Sequence, residues 1–89
     1  MDFDPTLLRT FVAVVETGGF TRAGERLHLT QSAISHQIRR LEDQVGRALL
    51  HRTTRRLTLT EDGEDFLRHA QQILHSLEAR VLLKPEIFI

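Results

Sequence analysis

The sequence predicts a mainly α-helical domain in which three helices and a small β-hairpin are followed by a longer fourth helix. Three observations carry that expectation. Apolar side chains recur at helical spacing in four segments, cap-forming residues stand at the start of each, and between Gly46 and Thr60 the periodicity changes to nearly two.

Asp4-Pro5 is a helix start, with a side-chain acceptor at the cap and proline where its missing N–H costs nothing. Leu7, Leu8, Phe11, Val12 and Val15 mark one apolar face, and Gly18-Gly19 ends this helix. Thr21 is expected to cap a short second helix with Ala23 and Leu27 facing inward. A break at His28-Leu29 then brings Thr30 into position to cap the third. Gly24, a weak helix former, is tolerable there if the third helix crosses close to its backbone. In the third helix Ile34, Ile38, Leu41 and Val45 follow a four-three-four spacing. Two short helices joined by so tight a turn form a helix-turn-helix.

After Gly46, Ala48-Leu49-Leu50 and Leu57-Thr58-Leu59 read as short strands around the cationic tip His51-Arg52-Thr53-Thr54-Arg55-Arg56, which makes a wing. A hairpin this small needs the helices beside it. Thr60 caps the last helix, whose first turns hold Glu61, Asp62, Glu64 and Asp65 at the positive end of the dipole. Leu67, Ala70, Leu74, Leu77 and Val81 form a heptad stripe, flanked by Phe66 and Ile73. From Glu61 to Leu83 this helix would be about 34 Å long, more than so small a domain covers, so the stripe is expected to meet a partner helix. Lys84-Pro85 is expected to stop it. The organisation is therefore a winged helix-turn-helix over 1–60, a linker or dimerisation helix over 61–83 and an unassigned apolar tail over 84–89.

Composition limits what such a domain does. The 89 residues suffice for one core, 27% are charged, and no apolar run approaches the length of a membrane span. Met1 leads into Asp2-Phe3-Asp4 rather than a secretory signal, and cysteine is absent; both fit a cytoplasmic protein with no membrane partner. No HExxH, cysteine pair, nucleophile motif or glycine-rich phosphate loop occurs, and His69 and His75 lie on different helix faces. Neither an enzyme nor a bound metal or cofactor is expected.

Net charge is zero, yet charge is unevenly spread. Residues 31–60 hold six arginines against Glu42 and Asp43, a local +4, whereas residues 61–89 set three cations against six acids. A polyanion meets the local field, not the total. His36 and His51 lie in the same basic third.

The outer flank of the third helix carries Gln31, Ser32, Ser35 and His36, side chains that bond base edges, at the helix N-terminus that enters a major groove. Arg39 and Arg40, further along, suit phosphates. Thr21 and Arg22 at one helix start, and Thr30 at the next, offer further backbone contacts, as do Arg52 and Arg56 on the wing; a wing arginine also suits the minor groove.

The run GGFTRAGERLHLTQSAISHQIRRLEDQVGRALLHRTTRRLTLTEDG closely resembles the N-terminal winged helix-turn-helix domain of LysR-type transcriptional regulators, over roughly residues 3–83. The combination of FTRA, the LTQSAIS turn, IRRLE, the LLxRTTRRLTLTEDG wing and a long helix is specific. The resemblance implies a homodimer joined through the last helix, placing two recognition helices in successive major grooves of an interrupted palindrome. It implies that Gln31, Ser32, Ser35 and His36 face bases and that Arg55 enters the minor groove of double-stranded DNA. Three positions depart from the family's pattern: His36 where arginine is frequent, Gly24 where alanine is, and His51 where an acid is. Family members also continue into a two-lobed effector domain. This sequence is thus expected to be the DNA-binding region of a longer regulator, with any small-molecule effector confined to that missing C-terminal domain.

Other readings stand beside these. Singly, Gln31, Ser32 and Ser35 are ordinary solvated residues; Arg39 and Arg40 have Glu42 and Asp43 at hand for surface pairs. The heptad stripe has its own domain to pack against. A winged helix can also bind protein alone. An arginine-rich wing beside a polar, uncharged helix start favours DNA.

Overall fold

The computed structural model describes residues 4–52 and 57–86, with side chains described through Leu77. The chain runs α1 (Pro5–Thr17), α2 (Phe20–Leu27), α3 (Gln31–Val45), β1 (Leu50–Arg52), β2 (Leu57–Leu59) and α4 (Glu61–Glu86). The four helices, the hairpin and their order agree with the expectation.

Local chemistry sets most boundaries. The Asp4 carboxylate accepts from the Thr6 N–H at 2.9 Å with Pro5 in the first turn, and Gly18 closes α1 in the left-handed region. Thr30 caps α3 by accepting from the Ala33 N–H at 3.0 Å. Thr60 caps α4 by accepting from Gly63 at 2.9 Å. α2 differs from the expectation: Gly19 is its cap, with no side-chain bond, and Thr21 lies inside the first turn. Phe20, Ala23 and Leu27 share one face, and their common burial draws the helix back to Phe20.

The core comprises Leu7, Leu8, Phe11, Ala13 and Val14 of α1, Ala23 of α2, Ile34, Ile38 and Leu41 of α3, Leu49 and Leu50 before and in the wing, and Ala70 and Leu74 of α4. α1 packs against all three other helices, which is why its buried arc is broader than one stripe. Val12 and Val15, expected inside, are half-buried at its margin. Phe11 meets Phe66 edge to face, with centroids 5.6 Å apart. Buried Thr10 joins α1 to α3: its hydroxyl lies 3.0 Å from the Thr6 carbonyl and within bonding distance of the Gln37 amide. Both partners, the Thr6 carbonyl oxygen and Gln37 Oε1, are acceptors, so the single Thr10 hydroxyl proton is shared between them.

The hairpin is antiparallel, with Leu50 opposite Leu59 and Arg52 opposite Leu57. Its first strand starts two residues later than expected, so Ala48 and Leu49 lie outside it. The cause is competition for backbone groups. The Leu49 N–H donates to the Glu42 carboxylate at 2.8 Å, and the Thr60 carbonyl accepts from Glu64 at 2.9 Å as the first bond of α4. Only the Thr60 N–H to Leu49 carbonyl bond, 3.0 Å, continues the ladder. Of the expected tip, His51 and Arg52 belong instead to β1, paired with Thr58 and Leu57, and Thr53, Thr54, Arg55 and Arg56 lie outside the described residues.

α4 corrects two expectations. It continues over Lys84 and Pro85 to Glu86, because proline in a last turn removes only one donor and leaves the preceding turns bonded. The stripe is also partly taken by the chain itself: Ala70 and Leu74 are buried in the core, so these two are not free to meet a partner, while Leu67 is half-buried at the margin of the core. Leu77 is half-buried; the side chain of Val81 lies outside the described residues.

Two glycines permit close approach. A Cβ on Gly24 would stand 2.4 Å from the Leu29 carbonyl oxygen, so the near neighbour is the turn itself, with the Ile34 side chain farther away at 3.7 Å. A Cβ on Gly63 would stand 2.0 Å from the Leu49 carbonyl oxygen, which ties α4 closely to the root of the wing. Helix propensity alone would make Gly63→Ala stabilising by ~1 kcal/mol; the clash with backbone predicts instead a loss of about 1–3 kcal/mol in urea unfolding. A more stable variant would show that the approach is not limiting. Leu74→Arg, which buries a charge against α1, is expected to abolish the cooperative melt rather than merely to separate one copy from another.

Candidate nucleic-acid interface

The buried side of α3 determines what its other side presents. Ile34, Ile38 and Leu41 are fully buried, so Gln31, Ser32, His36 and Arg39 are turned outward and Ser35 sits half-exposed between them. These five line one open hollow together with Phe20 from the start of α2. No other segment of the described chain covers them. The four residues expected to read bases are therefore adjacent on a single accessible surface.

Thr30 has two roles in that surface. Its hydroxyl is committed to the Ala33 N–H and its carbonyl to the Ile34 N–H at 3.0 Å, which fixes the first turn of α3. The side chain serves as the cap through its oxygen and keeps its O–H to donate, and Thr30, Gln31 and Ser32 are all exposed. Thr21 and Arg22 are exposed in the first turn of α2.

The arginines divide into two sets. Among the described residues Arg9 on α1 and Arg22, Arg39 and Arg40 on α2 and α3 have no ion pair, whereas Arg26 pairs with Glu16 at 2.7 Å, Arg47 approaches Asp62 at 4.0 Å and Arg68 pairs with Asp65. Glu42 and Asp43 do not neutralise Arg39 or Arg40. Glu42 faces the wing instead: its Oε2 accepts from the Leu49 and Leu50 N–H groups at 2.8 and 3.3 Å, and its Oε1 accepts from Arg52 Nη2 at 3.4 Å. The Arg52 guanidinium also lies over the Phe20 ring, 5.0 Å from its centroid. Arg52 thus differs from the free cations with which the sequence groups it. Arg55 and Arg56 lie outside the described residues.

Phe20 and Glu42 are not singled out by the sequence. The spacing of Phe20, Ala23 and Leu27 holds the signal for the first, since three and seven residues return to one helix face. Nothing in the sequence signals the second, whose partners lie seven to ten residues along a different element.

A three-helix core with a two-stranded wing, whose second motif helix presents a bare polar flank beside unpaired arginines, defines a winged helix-turn-helix domain. The model for "Bacterial regulatory helix-turn-helix protein, lysR family" matches residues 5–64, and the chain belongs to that family. It is 50% identical over 72 residues to the HTH-type transcriptional regulator CrgA of Neisseria meningitidis serogroup C (strain 8013), covering 81% of this chain and 24% of CrgA. It is 51% identical over 71 residues to the HTH-type transcriptional activator AllS of Klebsiella pneumoniae, covering 80% of this chain and 26% of AllS. The chain spans about a quarter of the length of these relatives. Among solved structures it is similar to the BenM DBD in its complex with catB site 1 DNA, with a TM-score of 0.90, 35% identity and 96% of each chain covered. It is also similar to the CbnR DBD in its DNA complex, with a TM-score of 0.84 at 35% identity, covering 96% of this chain and 97% of that one. Among the described residues no helix is long and apolar enough to cross a membrane.

Removing the cap is expected to disturb this surface from its base. Thr30→Ala should lower stability by about 1 kcal/mol in thermal or urea unfolding. An unchanged transition would mean that the turn is held without the hydroxyl.

Proposed function

We propose that this chain is the sequence-specific double-stranded DNA-binding domain of a bacterial transcriptional regulator, non-enzymatic and acting in the cytoplasm as a homodimer on an interrupted palindrome. The observation that carries the reading is the uncovered hollow formed by Gln31, Ser32, Ser35, His36 and Arg39, beside cations that have no acid partner. The DNA complexes of the BenM and CbnR domains, similar over nearly their whole length, support it.

In this mechanism α3 enters the major groove at its N-terminus. Gln31 bonds adenine through both amide atoms, Ser32 and Ser35 bond base edges, and His36 donates to a guanine acceptor. Arg22, Arg39 and Arg40 contact phosphates, with the amides at the starts of α2 and α3 near Thr21 and Thr30. The wing brings Arg55 to the minor groove and Arg56 to the backbone. Residues 1–60 form the DNA-binding unit and α4 the linker. With Ala70 and Leu74 inside the core, a second copy packs on the exposed side of α4, where Ile73 is 43% exposed and Gln72, Ile73, Ser76 and Leu77 form a shallow hollow. A larger protein carrying this chain places effector recognition elsewhere.

The deciding experiment selects bound sequences from a randomised duplex pool and then titrates the selected site and a random duplex over a salt series. Ser35→Ala and Gln31→Ala should each cost roughly 1–3 kcal/mol on the selected site and little on random DNA. Equal losses on both would remove these side chains from base reading. Arg39→Ala or Arg40→Ala should weaken both and reduce the slope of log K against log salt by ~0.9. No enrichment, with binding to a protein partner alone, would favour an interaction module. Ile73→Arg, a surface change, should give monomers in sedimentation with the melt retained; a dimer that survives it would place the contact elsewhere.

A further inference from the structure

Arg52 lies on the wing, but its surroundings are those of a bracket. Its guanidinium is shared between the Glu42 carboxylate of α3, at 3.4 Å, and the face of Phe20 in α2, 5.0 Å from the centroid. Glu42 is the more enclosed partner, its side chain 18% exposed against 37% for Arg52, and its other oxygen accepts from the Leu49 and Leu50 N–H groups at the root of β1. Phe20 in turn lines the hollow of the reading flank with Gln31, Ser32, Ser35, His36 and Arg39. One carboxylate and one cation therefore join α2, α3 and β1 at the edge of the candidate interface.

We propose that Arg52 is a positioning residue, held between Glu42 and Phe20 so that the first wing strand keeps a fixed place beside the reading flank of α3, and that it is not a phosphate contact. The inference rests on the DNA-binding reading above and reassigns one of its residues. A cation already matched by a carboxylate releases no counterion of its own when DNA arrives, so its removal leaves the salt slope unaltered. The loss appears instead in discrimination, because three-residue strands have little rigidity of their own and a shifted wing no longer engages in step with α3.

Phe20→Leu provides the cleanest test, since it keeps apolar bulk, removes the aromatic face and changes no charge. Phe20→Leu, Arg52→Gln and their double variant would be made in the 89-residue chain, with melts confirming folding. Each would be titrated with the selected site and with random duplex over a salt series. The expected result is a specific-to-random affinity ratio about fivefold lower in each single variant, a double variant no worse than Arg52→Gln, and a salt slope equal to wild type. Amide hydrogen exchange without DNA should show faster exchange at Leu50, whose N–H is held by Glu42, and at His51, whose N–H faces β2, in both single variants, with α1 protection unchanged. Should Arg52→Gln lower the slope by ~0.9 with equal losses on both duplexes, Arg52 is a phosphate contact and the assignment fails. An unaltered ratio in Phe20→Leu overturns it as well. If the wild type shows no site preference while the exchange pattern holds, it is the DNA-binding reading that falls, and the role of Arg52 in it with that reading.

Discussion

The left-handed backbone of His28, at φ 59°, turns the chain so that the Leu29 N–H reaches the Gly24 carbonyl at 2.8 Å. A side chain in that conformation has a steric cost, and here it is offset by closing α2 with a bond from two residues beyond its end. The same turn drives the Leu29 carbonyl toward Gly24, where no Cβ can stand, and delivers Thr30 as the cap of α3. The direction of α3 follows from it, and so does the burial of Ile34, Ile38 and Leu41 beneath. The reading flank is the complement of that seam. Its exposure is a consequence of packing on the other side and needs no separate device.

Two side chains then attach the rest of the molecule to this motif. Glu42 takes up the backbone donors of Leu49 and Leu50, and the Thr60 hydroxyl lies 2.7 Å from the Ala48 carbonyl while also accepting from Gly63. The hairpin is short because those groups have better partners outside the ladder. A strand pair of this size is not stable alone, so its anchorage to α3 and α4 is what makes it a wing. The anchorage has an energetic logic: each buried or half-buried backbone N–H left without an acceptor would cost more than one ordinary hydrogen bond contributes.

What is legible in the sequence is what is determined locally. The caps at Asp4, Thr30 and Thr60 and the seam of α3 depend on residues within one or two turns of each other, and they stand where the spacing places them. The start of α2 is not legible in this way, because Gly19 caps it without a side chain and Thr21 stands nearby as a tempting but wrong signal. The start of β1 is hidden because the competitor for its first amide is a carboxylate seven residues away. The stripe on α4 is legible as apolar periodicity, but periodicity does not name the surface that covers it; α1 of the same chain takes Ala70 and Leu74. The candidate interface is legible for α3, where outward residues follow from inward ones. It is not legible for Arg52, whose neighbours come from two other helices.

The distribution of ion pairs resolves how a chain with no net charge presents a cationic surface. Acids and bases are equal at twelve each, yet they do not cancel in place. Glu16, Glu42, Asp62 and Asp65 are engaged with Arg26, Arg52, Arg47 and Arg68, while Glu61, Asp62 and Glu64 also occupy the first turn of α4, where the helix dipole favours them. Among the described residues this leaves Arg9, Arg22, Arg39 and Arg40 without acid partners, and the last three belong to the two helices of the turn motif. Exposed pairs contribute little to stability, so the pairing matters less for holding the fold than for deciding which cations remain available. A surface built this way attracts a polyanion through a few fixed charges on rigid helices, and that rigidity lets a neutral row of Gln31, Ser32 and Ser35 be presented in constant register beside them.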